Sequence, residues 1–295
     1  MERVLITGVA GFMGANIAHS LIKNENVFIY GIDDFSCSDV SALYLLLKSE
    51  RFSFLEGDVS DTELPQVEKI IHLTGNRNFS LYNLGKFDFI TKQIGITKKL
   101  FDYSKIFGSK LILTSQFVNK NRCSKNLYEY FDYLKLYDSI SCDYVVNNKI
   151  DAYILKLPLL YGFCYSKKNF GLIENAIFSA LSGKDIVIEN DITDYFCYID
   201  DVSNLITNLL KFDGSITNNI INEIVPNAYF DLKEAIEFII NYTKSNSRLT
   251  INNLEKITPT YSFNETLKIK DFNFSNNYKR NLMECIDLFK KAYFL

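Results

Sequence analysis

The chain has only two histidines in 295 residues, and its six cysteines (Cys37, Cys123, Cys142, Cys164, Cys197 and Cys285) form no C-x-x-C pair. A metal centre built by the protein needs a close cluster of such ligands, so none is expected. Scattered thiols suit a reduced, cytoplasmic chain better than a disulfide framework. No apolar run reaches the roughly 20 residues that span a bilayer, so no membrane partner is expected. The first strand starts at Arg3, and its apolar run is too short for a signal peptide. Basic charge is not in excess. The 32 Lys and Arg against 35 Asp and Glu leave a net charge of -3, which argues against nucleic acid as the main partner. Internal repeats and low-complexity linkers are absent as well. What is present is 47% hydrophobic residues, ample for a sizeable core in one large domain or two small ones.

The most informative stretch runs from Val4 to Gly14. It opens as a short aliphatic and β-branched run, the pattern of a strand buried on both faces. It turns at Gly8, Gly11 and Gly14, and continues over Met13–Lys23 with Ile17, Ala18, Leu21 and Ile22 at helical spacing. A strand, a glycine turn and a helix start make a phosphate cradle. Glycines let the backbone approach a pyrophosphate, and the free N–H groups of the helix start attract its charge. Asp33 closes a second buried strand, Val27–Asp33. A carboxylate there can accept hydrogen bonds from both ribose hydroxyls of the adenosine and would repel a 2′-phosphate, which favours NAD over NADP. Asp58 and Val59, at the tip of a third strand, are placed to meet the adenine.

The first half alternates strands and helices. Strands are expected at Phe52–Glu56, Lys69–Leu73, Lys110–Thr114 and Ala152–Leu157. Helices are expected at Ser41–Lys48, Phe87–Ile106 and Leu127–Val146. Such alternation predicts an α/β fold, a doubly wound parallel sheet covered by helices on both faces. After Gly162 the rhythm changes. Helices are expected at Phe170–Ser182, Val202–Lys211, Asp231–Tyr242 (capped by Asp231) and Lys279–Tyr293. Short strands are expected at Asp185–Ile188, Tyr195–Ile199 and Asn219–Val225. The division that follows is a dinucleotide-binding Rossmann domain over 1–160, to which about 186–211 returns. A smaller α/β cap, mainly 161–295, lies over the carboxyl edge of the sheet, where ligands bind in open α/β sheets.

Taken together, Thr7-Gly8-x-x-Gly11-Phe12-x-Gly14, Gly31-Ile32-Asp33, Gly57-Asp58-Val59, Ile71-His72-Leu73 and Tyr198-Ile199-Asp200-Asp201-Val202 resemble the extended short-chain dehydrogenase/reductases. They resemble most closely the nucleotide-sugar epimerase/dehydratase group. Lys270-Asp271-Phe272-Asn273-Phe274 is loosely similar to the closing motif of that family. The resemblance implies NAD on the first half, held by Gly8, Gly11, Phe12, Met13, Gly14, Asp33, Asp58, Val59, Leu73 and Lys135. It also implies an activated sugar in the cleft and hydride removal from a sugar carbon. In the family a Tyr in a Tyr-x-x-x-Lys helix takes the hydroxyl proton. The Lys lowers the Tyr pKa and holds the cofactor ribose, because a phenol needs a neighbouring cation to act as a base near neutrality. A Ser or Thr after the fifth strand orients the oxygen. A homodimer is implied too, through the helices at Phe87–Ile106 and Leu127–Val146. Tyr137, Ile140 and Tyr144 are then either outward contacts or core.

The chain departs from this pattern at the chemistry. Lys135 is present, but Phe131 stands four residues before it and cannot carry a proton. Ser115 matches the Ser/Thr site, with Gln116 there if the alignment shifts by one residue. Leu159 and Asp194 replace an Asn and an Arg that commonly meet the sugar-nucleotide diphosphate, and Lys92 stands where an Asn often braces the active-site strand. Tyr128 shares a helix face with Phe131 and Lys135, so its hydroxyl is a candidate acid/base, followed by Tyr130 and Tyr133. Lys167 and Lys168 are candidates for the missing cation. Three readings stay open: an NAD-dependent nucleotide-sugar enzyme with a non-standard acid/base, a degenerate relative acting as a binding or scaffold partner, and a dinucleotide-sensing regulator.

Overall fold

A computed structural model describes residues 1–23, 26–74, 82–83, 85–117, 125–211, 220–258 and 274–295, with the backbone alone for 125–128 and 254. The central sheet is parallel throughout. It is built from β1 (Glu2–Thr7), β2 (Val27–Asp33), β3 (Phe52–Glu56), β4 (Lys69–His72), β5 (Lys110–Gln116), β6 (Ala152–Leu157) and the short edge strand β9 (Ile221–Glu223). Its order is β3-β2-β1-β4-β5-β6-β9. The chain therefore winds outward from β1 in both directions, and the β1–β4 junction is the switch point where a crevice opens. Thr7 pairs with both Ile32 and His72, so the strand ends that carry the candidate site lie flush.

Alternation along these strands supplies two cores. Val4 and Ile6 join Ile29, Ile71 and Ile112 on one face, while Leu5 joins Ile70, Leu111 and Leu113 on the other. The first face is covered by α1 (Phe12–Leu21) and α5 (Ile199–Lys211), which pack together. The second is covered by α2 (Lys86–Phe107) and α3 (Lys125–Asn148). Between these two helices Tyr82, Phe89, Tyr130, Tyr133 and Tyr137 form a buried aromatic ladder. Tyr137 is core, its hydroxyl bonded to Thr97, whereas Ile140 is exposed. Leu136 and Val146 of α3 and Phe87, Ile106 and Phe107 of α2 are exposed too.

The second layer system holds β7 (Leu159–Tyr161), β8 (Ile186–Tyr198), β10 (Tyr229–Asp231) and β11 (Leu249–Ile257). With them are α4 (Leu172–Leu181), α6 (Leu232–Thr243) and α7 (Tyr278–Tyr293). The two short strands expected at Asp185–Ile188 and Tyr195–Ile199 are parts of one 13-residue strand, β8. Its polar middle breaks the apolar pattern but is matched across the sheet: Asn252 donates to Glu189, and Asp191 faces Lys256. Ile199 opens α5 instead of ending a strand. Within the span 186–211, α5 alone returns to the first domain. β8 cannot, because β7, β10 and β11 take up its edges. The second sheet already begins at Leu159, and β9, beyond that span, joins the first. Asp231 caps α6 by accepting from the Glu234 N–H, as its position predicts. Among the described residues no helix is long and apolar enough to cross a membrane.

Candidate active site

The glycine turn leaves β1 at Gly8, whose φ of +71° is a left-handed conformation that favours glycine. Its N–H donates to the Ile32 carbonyl at 2.8 Å, tying the turn to β2, and the Gly11 N–H donates to the Gly8 carbonyl at 3.1 Å. Gly14 is needed for a different reason. A Cβ there would lie 2.1 Å from the Gly8 oxygen and 2.7 Å from the Val9 Cα, so only glycine lets α1 start this close to the strand. A Cβ on Gly11 would meet nothing but the Gly8 oxygen, at 3.2 Å, and otherwise open space. No side chain caps α1, so the N–H groups of its first turn point into that space. An open, backbone-lined hollow at the start of a ten-residue helix fits a pyrophosphate. Met13 is buried and Phe12 half-buried beside it.

Asp33 is buried at the end of β2. Its Oδ2 accepts from the Ala10 N–H at 2.9 Å, and its Oδ1 from the Phe35 N–H at 2.9 Å and the Ser38 hydroxyl at 3.0 Å. Burial raises its pKa, and these three donors oppose the shift. A carboxylate has about four acceptor positions. Asp33 thus locks the glycine turn to the loop after β2 and retains room for one further donor, where the sequence suggested two. Asp58 Oδ1 accepts from the Ser60 N–H and hydroxyl at 2.8 and 2.7 Å, and Oδ2 lies 2.5 Å from Lys92 Nζ. Partial burial pushes the Asp58 pKa up, but Lys92 and Ser60 outweigh it and hold the carboxyl low. Lys92 therefore holds the Asp58 side chain just past the end of β3. Val59 is buried, and Leu73 is half-buried just past β4.

His72 is buried, with Nδ1 2.7 Å from Thr7 Oγ1. The Leu73 N–H donates to the same oxygen at 3.2 Å. Burial lowers the His72 pKa to about 4, so it is neutral at physiological pH and joins β1 to β4 without charge.

On α3, Phe131 is half-buried against Tyr130, and Lys135 is exposed. Lys135 lines a cavity of about 440 Å³ together with Asp138, Ser139, Cys142, Lys156 and Ile221. Ser115 lies in the sheet core, where its hydroxyl lowers the pKa of the Asp138 carboxyl against the effect of burial. Lys156, its partner across β5 and β6, places Nζ 3.2 Å from Asp138 Oδ2. Gln116 ends β5 half-buried. The side chain of Tyr128, and the motif residues 270–273, lie outside the described residues. Tyr130 and Tyr133 are in the aromatic ladder, and burial drives the Tyr133 phenol far above its usual pKa, which disqualifies it as a base. Asp194 is buried on β8, where its Oδ1 accepts from the Tyr195 N–H at 2.7 Å, and Leu159 is half-buried on β7.

Lys167 lies over the rings of Phe178 and Tyr293, at 4.9 and 5.2 Å. Lys168 turns the other way and donates to the Ser38 carbonyl at 3.2 Å. Around it, Ser166 donates to Asp39 at 2.6 Å, Asn169 to the Ala10 carbonyl at 3.1 Å, and Asn16 to the Phe163 carbonyl at 2.9 Å. Residues 163–169 are thereby strapped across the glycine turn and the loop after β2. None of these pairs was foreseen, since each joins residues more than 120 positions apart and leaves no local pattern.

A family model described as "NAD dependent epimerase/dehydratase family" matches residues 4–222. UDP-glucuronic acid decarboxylase 5 of Arabidopsis thaliana is 24% identical over 260 residues, covering 81% of this chain and 75% of that protein. The crystal structure of UDP-glucuronic acid 4-epimerase from Bacillus cereus, in complex with UDP-glucuronic acid and NAD, superposes with a TM-score of 0.79. Its sequence identity is 21%, covering 99% of this chain and all of that one. The dTDP-glucose 4,6-dehydratase of Bacillus anthracis, in complex with NAD, gives a TM-score of 0.74 at 18% identity, covering 99% and 97%.

Proposed function

Because the chain belongs to the NAD dependent epimerase/dehydratase family, we propose that it binds NAD(H) and modifies a nucleotide-activated sugar by hydride transfer at a sugar carbon. The observation that carries this reading is the open cradle at Gly11, flanked by uncapped N–H groups and by the Asp33 carboxylate. The N–H groups take the pyrophosphate, Asp33 accepts from an adenosine ribose hydroxyl, and Asp58 with Val59 borders the adenine. When bound, the dinucleotide supplies the hydride acceptor. The chain supplies Ser115 to orient the sugar oxygen and Lys135 as the cation that meets the nicotinamide ribose. A group other than Phe131 takes the proton, and Tyr128, three residues earlier on the same helix face, is one candidate.

A second reading, a degenerate relative that binds NAD and a partner protein without turnover, is favoured by Phe131 and by the buried acid Asp194. One experiment separates the two. The chain is incubated with NAD and a panel of UDP- and dTDP-sugars, and the products are read by NMR. Conversion of any sugar supports the enzyme, while NAD binding with no conversion across the panel supports the binding protein. The exposed Leu136, Ile140 and Val146 on α3, with Phe87, Ile106 and Phe107 on α2, support a homodimer through these two helices. Among the described residues Cys37, Cys142, Cys164, Cys197 and Cys285 form no disulfide, which suits the reducing cytoplasm.

A further inference from the structure

We propose that Lys99 is a positioning residue for the adenine end of the dinucleotide. From α2 it fixes the turn after β3 that carries Asp58 and Val59, and so sets how strictly the site tells adenine from other bases. This deepens the dinucleotide reading above and rests on it.

β3 ends at Glu56, and the Gly57 N–H donates to the Asp33 carbonyl at 3.0 Å, which ties the following turn to the end of β2. The Asp58 carbonyl then accepts from the Asp61 N–H at 3.1 Å, the Thr62 N–H at 3.0 Å and the Thr62 hydroxyl at 2.6 Å. Residues 58–62 are thereby closed into one tight turn. The carbonyls of Val59, Ser60 and Thr62 all go to a single group, the Lys99 ammonium, at 2.9, 2.9 and 2.8 Å. An ammonium has three donors, so Lys99 is fully committed to this turn. Other lysines of α2 behave differently: Lys92 pairs with the Asp58 carboxylate and Lys98 with Asp102. Lys92 and Lys99 stand seven residues, or two turns, apart on one face of α2, and the helix grips the turn through both. Holding a long lysine side chain in one geometry costs rotamer freedom. Ser60 and Asp61 are exposed, so water can solvate carbonyls of this turn. Stability alone is therefore a poor reason for the clamp.

What the clamp holds is a matched acceptor and donor. Asp58 Oδ1 takes two bonds from Ser60, and Oδ2 takes one from Lys92. A carboxylate has about four acceptor positions, so one stays open on Oδ2. A trans peptide directs its C=O and N–H oppositely. The Asp58 carbonyl faces into the turn, toward Thr62, and the Val59 N–H therefore faces out of it. An acceptor and a donor on adjacent residues complement the amino group and N1 of adenine. They mismatch hypoxanthine, which offers an oxygen to the carboxylate and an N–H to the N–H. Lys99 holds the carbonyl of Val59 itself and that of Thr62, which closes the turn under Asp58. Without the ammonium the peptide that aims this pair is loosened, and the cofactor must order it on binding.

The test titrates the full chain with NADH and with reduced nicotinamide hypoxanthine dinucleotide, followed by ligand fluorescence. The wild type should prefer NADH by about tenfold or more, the worth of a hydrogen bond to a charged group. Lys99→Met should raise the NADH Kd about tenfold and bring the two Kd values within about twofold of each other. Its ratio of NADH to NADPH affinity, which depends on Asp33, should stay as in the wild type. Lys98→Met should change neither ratio. Lys99→Gln keeps an amide donor and should fall between the wild type and Lys99→Met. If Lys99→Met weakens both dinucleotides equally, the base preference survives and positioning by Lys99 is refuted while the dinucleotide reading stands. Should Lys99→Met not fold, a wild-type base preference in Lys99→Gln refutes it in the same way. A wild type that binds NADH without distinguishing the two bases also overturns the inference alone. A wild type that binds no NADH removes both.

Discussion

Replacing Gly14 by alanine tests whether the glycine spacing serves the fold, the cofactor or both. The added Cβ would lie 2.1 Å from the Gly8 oxygen, 2.7 Å from the Val9 Cα and 2.9 Å from the Gly8 carbonyl carbon, all of them backbone. To reach even the 3.2 Å that a Cβ on Gly11 would keep from that same oxygen, α1 must retreat by 1.1 Å (3.2 − 2.1). Overpacking of this kind costs about 1–3 kcal/mol, and with no flexible side chain to yield, the upper end is expected. For a chain of this size that is a fall in Tm on the order of 5 °C. The same retreat carries the first-turn N–H groups away from the pyrophosphate, so the NADH Kd should rise at least tenfold. Gly11→Ala is the control. Gly11 has an ordinary extended backbone (φ −67°, ψ 168°) and open space beside it, so its Tm should stay within about 2 °C. The methyl group fills the cradle, so NADH binding should still be lost. Thermal melts and NADH fluorescence titrations of the two variants decide the matter. Wild-type Tm in Gly14→Ala, or wild-type NADH affinity in Gly11→Ala, would refute the geometric argument.

Further outcomes follow from the same contacts. Asp33→Ser removes the acceptor for Ala10, Phe35 and Ser38 and should weaken NADH at least tenfold while narrowing its preference over NADPH; an unchanged ratio of the two Kd values takes Asp33 out of ribose recognition. Glu174, buried on α4 and accepting from the Gly162 N–H at 2.9 Å, has its pKa raised by burial from 4.5 to about 7. The folded state therefore holds this proton more tightly than the unfolded chain. The contribution is intact below pH 4.5 and is lost as pH rises through 7, about 3 kcal/mol in all. Glu174→Gln should flatten the decline in Tm between pH 5 and 8, and parallel Tm–pH curves for the two proteins would contradict the assignment. Leu136→Glu with Ile140→Glu puts two charges on the exposed apolar stripe of α3 and should convert a dimer to a monomer in light scattering. A monomeric wild type, or a dimeric variant, would move the interface elsewhere.

The legible parts of the molecule share a physical property. β2 and β3 are bounded as their apolar runs and strand-end acids suggest, because a strand buried on both faces must be apolar along its length. α1, α2, α3 and α6 follow helical spacing for the same kind of reason. β8 was split in two by its polar middle, because cross-strand partners such as Asn252 and Lys256 are invisible in the strand itself. β7, β10 and β11 went unassigned, since two of them are three residues long and all take their stability from β8.

The same distinction divides the site. The sequence by itself determined the glycine cradle and its acid, and through them the NAD half of the reading, because a left-handed turn, a close approach and a strand-end carboxylate are demands on neighbouring residues. Only the tertiary structure decided how much of Asp33 is already engaged, that Lys92 braces Asp58, that 163–169 straps the cradle, and that Lys156 of β6 meets Asp138 of α3. Each of those depends on which distant segments the sheet register and helix packing bring within 3 Å or so, and burial then sets what such groups do with a proton.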